Sequence, residues 1–143
     1  MSQSLLQIGP YAIGRPASDY PDIRKLSWFN TFDIKRPKVR GVKRYKGSQL
    51  VDFLDRPREV ILGIVQDSVW SLSVLFAFNS EDSMGVDLVK VVEHYRPHLG
   101  EYTSDTQYPI QWLSPSAHIT INVQSVTGAG TPLYFFTLTI SAN

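Results

Sequence analysis

The segment from Glu59 to Phe78, EVILGIVQDSVWSLSVLFAF, constrains the fold more than any other. It is apolar enough to demand burial, but Gln66-Asp67-Ser68 interrupts it, and it is rich in β-branched and aromatic residues. Both features suit two strands better than one helix. In the second strand Trp70, Leu72, Val74, Phe76 and Phe78 alternate with Ser71, Ser73 and Ala77, which makes one face strongly apolar. The short break between the two implies antiparallel neighbours, so the chain is expected to build a sheet around this hairpin.

The flanking segments extend that expectation. QIGPYAIG reads as a short strand between glycines. SDYPDIRKLSWFNTF reads as a helix, with Ser18 or Asp19 as cap, Pro21 in the first turn, and Ile23, Leu26, Phe29 and Asn30 on one face. VRGVKRYKG and SQLVDFLD read as strands leading into the central hairpin. A second helix is expected over SMGVDLVKVVEHYRPHLG, where Leu88, Val92, Tyr95 and Leu99 recur at helical spacing, Ser83 caps the start, and Pro97 and Gly100 mark the end. YPIQWL, AHITINVQSV and LYFFTLTIS complete the strands, with Pro109 and Pro132 near strand starts, where a missing donor does least harm.

The expected order is β-α-ββββ-α-βββ: one α+β domain over residues 1–143, with an antiparallel sheet of about seven or eight strands and two helices. Helices covering one face of such a sheet would leave the other open as a natural binding surface. A chain of 143 residues can bury a core of its own, and with no cysteine it has neither disulfides, thiolate metal ligands nor a cysteine nucleophile. No segment approaches the roughly 20 apolar residues of a membrane helix. The N-terminus has no basic residue before Arg15, unlike a secretory signal. The expectation is a soluble cytoplasmic protein without membrane association.

Catalytic constellations do not emerge. His94 and His98 have the four-residue spacing of a helical metal pair, but Pro97 falls between them, and cationic side chains suit a helix C-terminus in any case. His118 lies in an alternating strand, and no G-x-S-x-G elbow accompanies the many serines. Asp82, Asp87 and Glu93 follow the spacing of a solvated helical face. TGAGTP lacks the lysine and following helix of a phosphate loop. No enzyme, metal or cofactor is implied.

Charge is segregated along the chain. Residues 1–58 carry twelve basic and five acidic side chains, whereas residues 59–143 carry two and eight. Seven of the fourteen basic residues lie in KRPKVRGVKRYKG, Lys35 to Gly47. That stretch could neutralise nucleic-acid phosphates, with Tyr45 for stacking. No nucleic-acid reader motif accompanies it, and its alternation reads as a strand near a sheet edge, where charges block unwanted pairing.

The opening IGPYAIGRPASDYPDIRKL, the strand-rich middle ending VILGIVQDSVWSLSVLFAF, then DLVKVVEHYRPHLG, Trp112, ITINV and LYFFTLTIS together resemble the layout of small bacterial immunity proteins of polymorphic-toxin systems. The resemblance implies a non-catalytic domain that binds and inhibits a cognate toxin protein. Immunity proteins against basic nucleases are often acidic, and this near-neutral chain departs from that pattern. Contact residues do not transfer, because such families share no contact motif. Tyr, Trp and Arg side chains, which anchor interfaces by burying much area, nominate Arg44, Tyr45, Trp112 and Tyr134 as partner-binding residues, and Lys43 joins them from the basic stretch. The alternatives are a small apolar-ligand binder with a pocket between sheet and helices, and a nucleic-acid binder acting through residues 35–46.

Overall fold

A computed structural model describes residues 6–26, 42–104, 110–115, 117–126 and 133–142. It shows an α+β chain built on a seven-stranded antiparallel sheet. The central hairpin pairs β7 (Val60–Val65) with β8 (Ser68–Phe78) through a two-residue turn at Gln66 and Asp67. To one side lie β4 (Lys43–Lys46) and β3 (Arg24–Leu26); to the other lie β11 (Leu133–Ala142), β10 (Ala117–Val126) and β9 (Ile110–Leu113). The order across the sheet is β3-β4-β7-β8-β11-β10-β9. Two small ribbons stand apart from it, β1 (Gln7–Ile8) with β2 (Tyr11–Ala12), and β5 (Val51–Phe53) with β6 (Arg56–Arg58).

Helix α1 (Glu81–Leu99) packs on β8 and β11. Its cap is Ser80, three residues before the expected Ser83; the Ser80 hydroxyl accepts the Ser83 N–H at 3.1 Å, and Gly100 ends the helix at φ 76°. Met84, Val91, Val92 and Tyr95 turn inward against Val74, Phe76, Phe136 and Leu138, and burial pushes the Tyr95 phenol pKa up. The same apolar layer takes in Leu62 and Val60 of β7, Ile119 and Ile121 of β10, and Ile8, Tyr11 and Val51 of the ribbons.

The helix expected over SDYPDIRKLSWFNTF does not form in its described part. A single 3-10 turn spans Ala17–Asp19 without a side-chain cap, and Arg24–Leu26 is a strand paired with β4. The reason is tertiary. Tyr20 packs on Tyr11 and its hydroxyl donates to the Pro10 carbonyl and accepts the Ala12 N–H, both at 3.0 Å, which ties the turn to the first ribbon. The remainder of that segment, from Ser27 on, lies outside the described residues, as do Lys35–Gly41 of the basic stretch and the TGAGTP turn.

Strict alternation fails at the start of β8. Gly63 faces Ser71 but Ile64 faces Val69, so Trp70 is an extra residue in the ladder. The bulge puts Val69 on the core face at 2% exposure and leaves Trp70 half-buried, reversing the assignment that alternation suggested. At the turn, Gln66 and Asp67 hold φ of 50° and 63°, the left-handed pair that a two-residue hairpin requires and that side chains disfavour. Replacing Asp67→Gly is expected to stabilise the fold by about 1 kcal/mol, read by urea denaturation; the Asp67 carbonyl that accepts Ala17 N–H at 2.7 Å is retained.

Candidate partner-binding edge

The second face of the sheet is built from the residues between the core positions. Register places Arg24, Lys46, Ile61, Ser73, Thr139, Thr120 and Gln111 in one cross-strand row spanning all seven strands. The adjacent row runs Leu26, Arg44, Gly63, Ser71, Ser141, His118, Leu113. Hydroxyls fill the middle of both rows. Ser73 Oγ lies 3.0 Å from Thr139 Oγ1, Ser141 Oγ donates to the His118 carbonyl at 3.3 Å, and His118 Nε2 lies 2.7 Å from Gln111 Oε1. Ser71, Ser73, Thr120, Thr139 and Ser141 are all buried, so the centre of this face is not the open surface that the sequence suggested. Hydrogen bonds such as Ser73–Thr139 and Ser141 to the His118 carbonyl help these small polar side chains to be buried there.

The basic stretch enters this face from the side. Within β4, Arg44 and Lys46 point to the hydroxyl rows, while Tyr45 packs against the apolar core on the other side. Gly63 makes room for Arg44: a Cβ at Gly63 would overlap the Ser71 hydroxyl and sit 2.9 Å from Arg44 Nη1. Lys46 pairs with Glu59 at 2.8 Å and keeps 44% of its side chain exposed. Strand β3 then sets Arg24 opposite Lys46 and Lys25 opposite Tyr45. Like charges directly across a ladder repel, and Arg24 and Lys46 border a cavity of about 680 Å³ that Asp22, Gly47 and Ser48 complete. Among the described residues β3 is the outermost strand on this side of the sheet.

The five nominated residues do not form one patch. Lys43 is exposed, Arg44 and Tyr45 are half-buried, and all three lie on β4. Trp112 sits on β9, five strands away, or roughly 24 Å along the sheet at ordinary strand spacing. It is 4% exposed, its indole N–H donates to the Gly100 carbonyl at 2.9 Å, and it meets Tyr102 edgewise and Tyr95 at a tilt, so it anchors the end of α1 to the sheet. Tyr134 is half-buried opposite Phe78 and packs on the core. Arg24 and Lys25, which the structure brings beside β4, were assigned to a helix by sequence reasoning; a strand reading of Arg24–Leu26 was needed to find them.

Asp87 is a second correction. Expected on a solvated helical face, it is instead 7% exposed, with Oδ2 3.5 Å from Arg58 Nη2 and Oδ1 3.7 Å from Lys90 Nζ. Arg58 lies 4.0 Å above the Phe76 ring and donates from Nε to the Phe53 carbonyl at 2.9 Å. Burial lowers the Arg58 pKa and Asp87 opposes that shift, while the guanidinium stays charged at any ordinary pH. This cluster clamps the β5–β6 ribbon to α1.

His94 rests edgewise against Phe53 and Tyr95, and its pKa is lowered by burial and then by His98. Among the described residues no group of three or more His, Cys, Asp or Glu could hold a metal ion, and no helix is long and apolar enough to cross a membrane.

The fold is that of an α+β domain dominated by one antiparallel sheet. No protein-family model, curated protein or solved structure matches the chain.

Proposed function

We propose that the chain is a non-catalytic protein-binding domain, of the immunity type that its sequence layout resembles, acting by occluding a cognate toxin protein. The observation that supports this reading best is the gathering of Arg24, Arg44 and Lys46 on one face of two paired strands at one side of the sheet, with Lys25 and Lys43 on the opposite face of the same strands and Asp22 and Glu59 beside them. Such a surface steers an acidic partner and sets orientation more than it supplies raw affinity. Tyr45, the one aromatic of the basic stretch, is half-buried with one side packed against the core, which leaves it less ring surface for stacking on bases and favours a protein over single-stranded nucleic acid.

The test is capture of partners by the tagged protein from its native host, with proteins identified and nucleic acid measured in the same eluate. The expected result is one stoichiometric protein, toxic when expressed alone and harmless when co-expressed with this chain. Lys43→Glu, at an exposed position, is expected to slow association with that partner about threefold at low salt and to have little effect at high salt. Nucleic acid recovered in place of a protein, and removed by salt, would overturn the reading.

A further inference from the structure

We propose that the cavity between the first turns of α1 and the β5–β6 ribbon binds a small zwitterion, an α-amino acid with an apolar side chain. The cavity is separate from the basic strands of the protein-binding reading, since none of its lining residues lies on β3 or β4. It has a volume of about 400 Å³ and takes its walls from three elements: Arg56 of β6, Ala77 and Phe78 at the end of β8, and Val86, Asp87 and Lys90 of α1. That volume lies at the small end for ligand pockets, which suits a molecule of amino-acid size.

The charges around the cavity set the polar half of the ligand. Asp87 is 7% exposed, yet among the described residues its Oδ2 accepts no hydrogen bond. Its two cations stand back: Arg58 Nη2 is 3.5 Å from Oδ2 and Lys90 Nζ is 3.7 Å from Oδ1, both beyond the roughly 2.7–2.9 Å of a charge-assisted hydrogen bond. A buried carboxylate so placed keeps acceptor capacity, and an ammonium donor in the cavity uses it. A simple amine would not suffice, because Asp87 is the one acid lining the cavity, whereas Arg56 and Lys90 both border it and Arg58 adds a third cation. Arg56 acts on Arg58 as a like charge. This surplus of positive charge calls for a carboxylate beside the ammonium. Lys90 Nζ and Asp87 Oδ1 are only 3.7 Å apart, so the ligand's own charges must also be close, as they are when both groups sit on one carbon. Ala77, Phe78 and Val86 then offer an apolar wall to its side chain, with Val86 58% exposed in the middle of a helix.

The test uses the full chain, isotopically labelled, titrated with leucine, N-acetylleucine, leucinamide and glycine at about 50 mM salt. Leucine is expected to move the amide resonances of Arg56, Ala77, Phe78 and residues 86–90, with a dissociation constant of about 1 mM. N-acetylleucine lacks the ammonium and leucinamide the carboxylate, and each is expected to bind at least fivefold more weakly. Glycine, without the apolar side chain, is expected to lose affinity severalfold. Arg56→Gln and Lys90→Gln, both at exposed positions, are each expected to weaken leucine binding severalfold and to leave the rest of the spectrum unchanged. N-acetylleucine binding as well as leucine would make the cavity a seat for any carboxylate, and leucinamide doing so would make it a seat for any amine; either result overturns the proposal. So would equal affinity for glycine, indifference to both glutamine variants, or no localised shift at about 50 mM leucine.

Discussion

Asp87→Ala is expected to cost about 3 kcal/mol of stability, the loss typical of breaking a buried ion pair from one side. The substitution itself removes little volume. Its effect falls on Arg58, whose side chain is 11% exposed and which would remain held between the Phe76 ring and the Phe53 carbonyl with its counter-charge gone. Lys90 does not compensate, since it is also a cation and its pairing with Asp87 disappears as well. A paired substitution separates the ion pair from simple packing. Arg58→Met combined with Asp87→Leu removes both charges and keeps apolar volume, and it is expected to regain most of the loss. Equilibrium urea denaturation of the single and double variants decides the matter. A cost below about 1 kcal/mol for Asp87→Ala would show that Arg58 finds enough water in place of its partner.

Phe76→Ala is expected to be the most damaging apolar truncation, at about 4 kcal/mol. The ring is fully buried, stacked on Phe136 at 4.4 Å and met edgewise by Phe53 at 6.2 Å, and it carries the Arg58 guanidinium on one face. Its loss opens a cavity between β8 and β11 and withdraws the support of the ion pair. For a chain of this length that is a fall of about 12 °C in melting temperature. Phe76→Leu retains most of the volume without the aromatic face, and the part of its cost that vanishes in an Arg58→Met background measures the cation–π contact, about 1 kcal/mol. Phe78→Ala is expected to cost less than half as much as Phe76→Ala, because Phe78 is half-buried at the strand end and stacks on Phe136 at the longer distance of 5.8 Å. Equal costs for the two phenylalanines would contradict the packing described.

What the sequence revealed of this architecture depended on how local each determinant was. The β7–β8 hairpin was legible because its apolar runs and polar break are adjacent, and α1 because its inward residues recur every three or four positions. The bulge at Trp70 was not, since an extra residue in a ladder is defined only against the opposing strand. Residues 18–26 carry genuine helix-start signals at Ser18, Asp19 and Pro21, yet Tyr20 is claimed by the first ribbon and Arg24–Leu26 by β4, so tertiary pairing overrides local preference. Asp87 shares the polar spacing of Asp82 and Glu93; only the position of Arg58, on a separate ribbon, distinguishes it. The candidate edge was half legible. The alternation of Lys43, Arg44, Tyr45 and Lys46 announced a charged strand, whereas the placement of Arg24 opposite Lys46 depends on a register that no spacing encodes.

The strand order also bears on how the chain comes to be folded. β11 follows β8, β9 and β10 in sequence and is the last strand among the described residues, but it lies near the middle of the sheet, between β8 and β10. Until Leu133–Ala142 arrives, the β3-β4-β7-β8 portion and the β9–β10 pair have no strand joining them, and each presents an unfilled edge, β8 with Leu72, Val74 and Phe76 and β10 with Ile119 and Ile121. On a ribosome that interval lasts until Leu133–Ala142 has been synthesised. Completion of the sheet is therefore a late, long-range event, of the kind that slows folding and exposes intermediates to aggregation. A chain missing its final strand is a pair of adhesive half-sheets, and shortfalls in yield on C-terminal truncation would have their origin there.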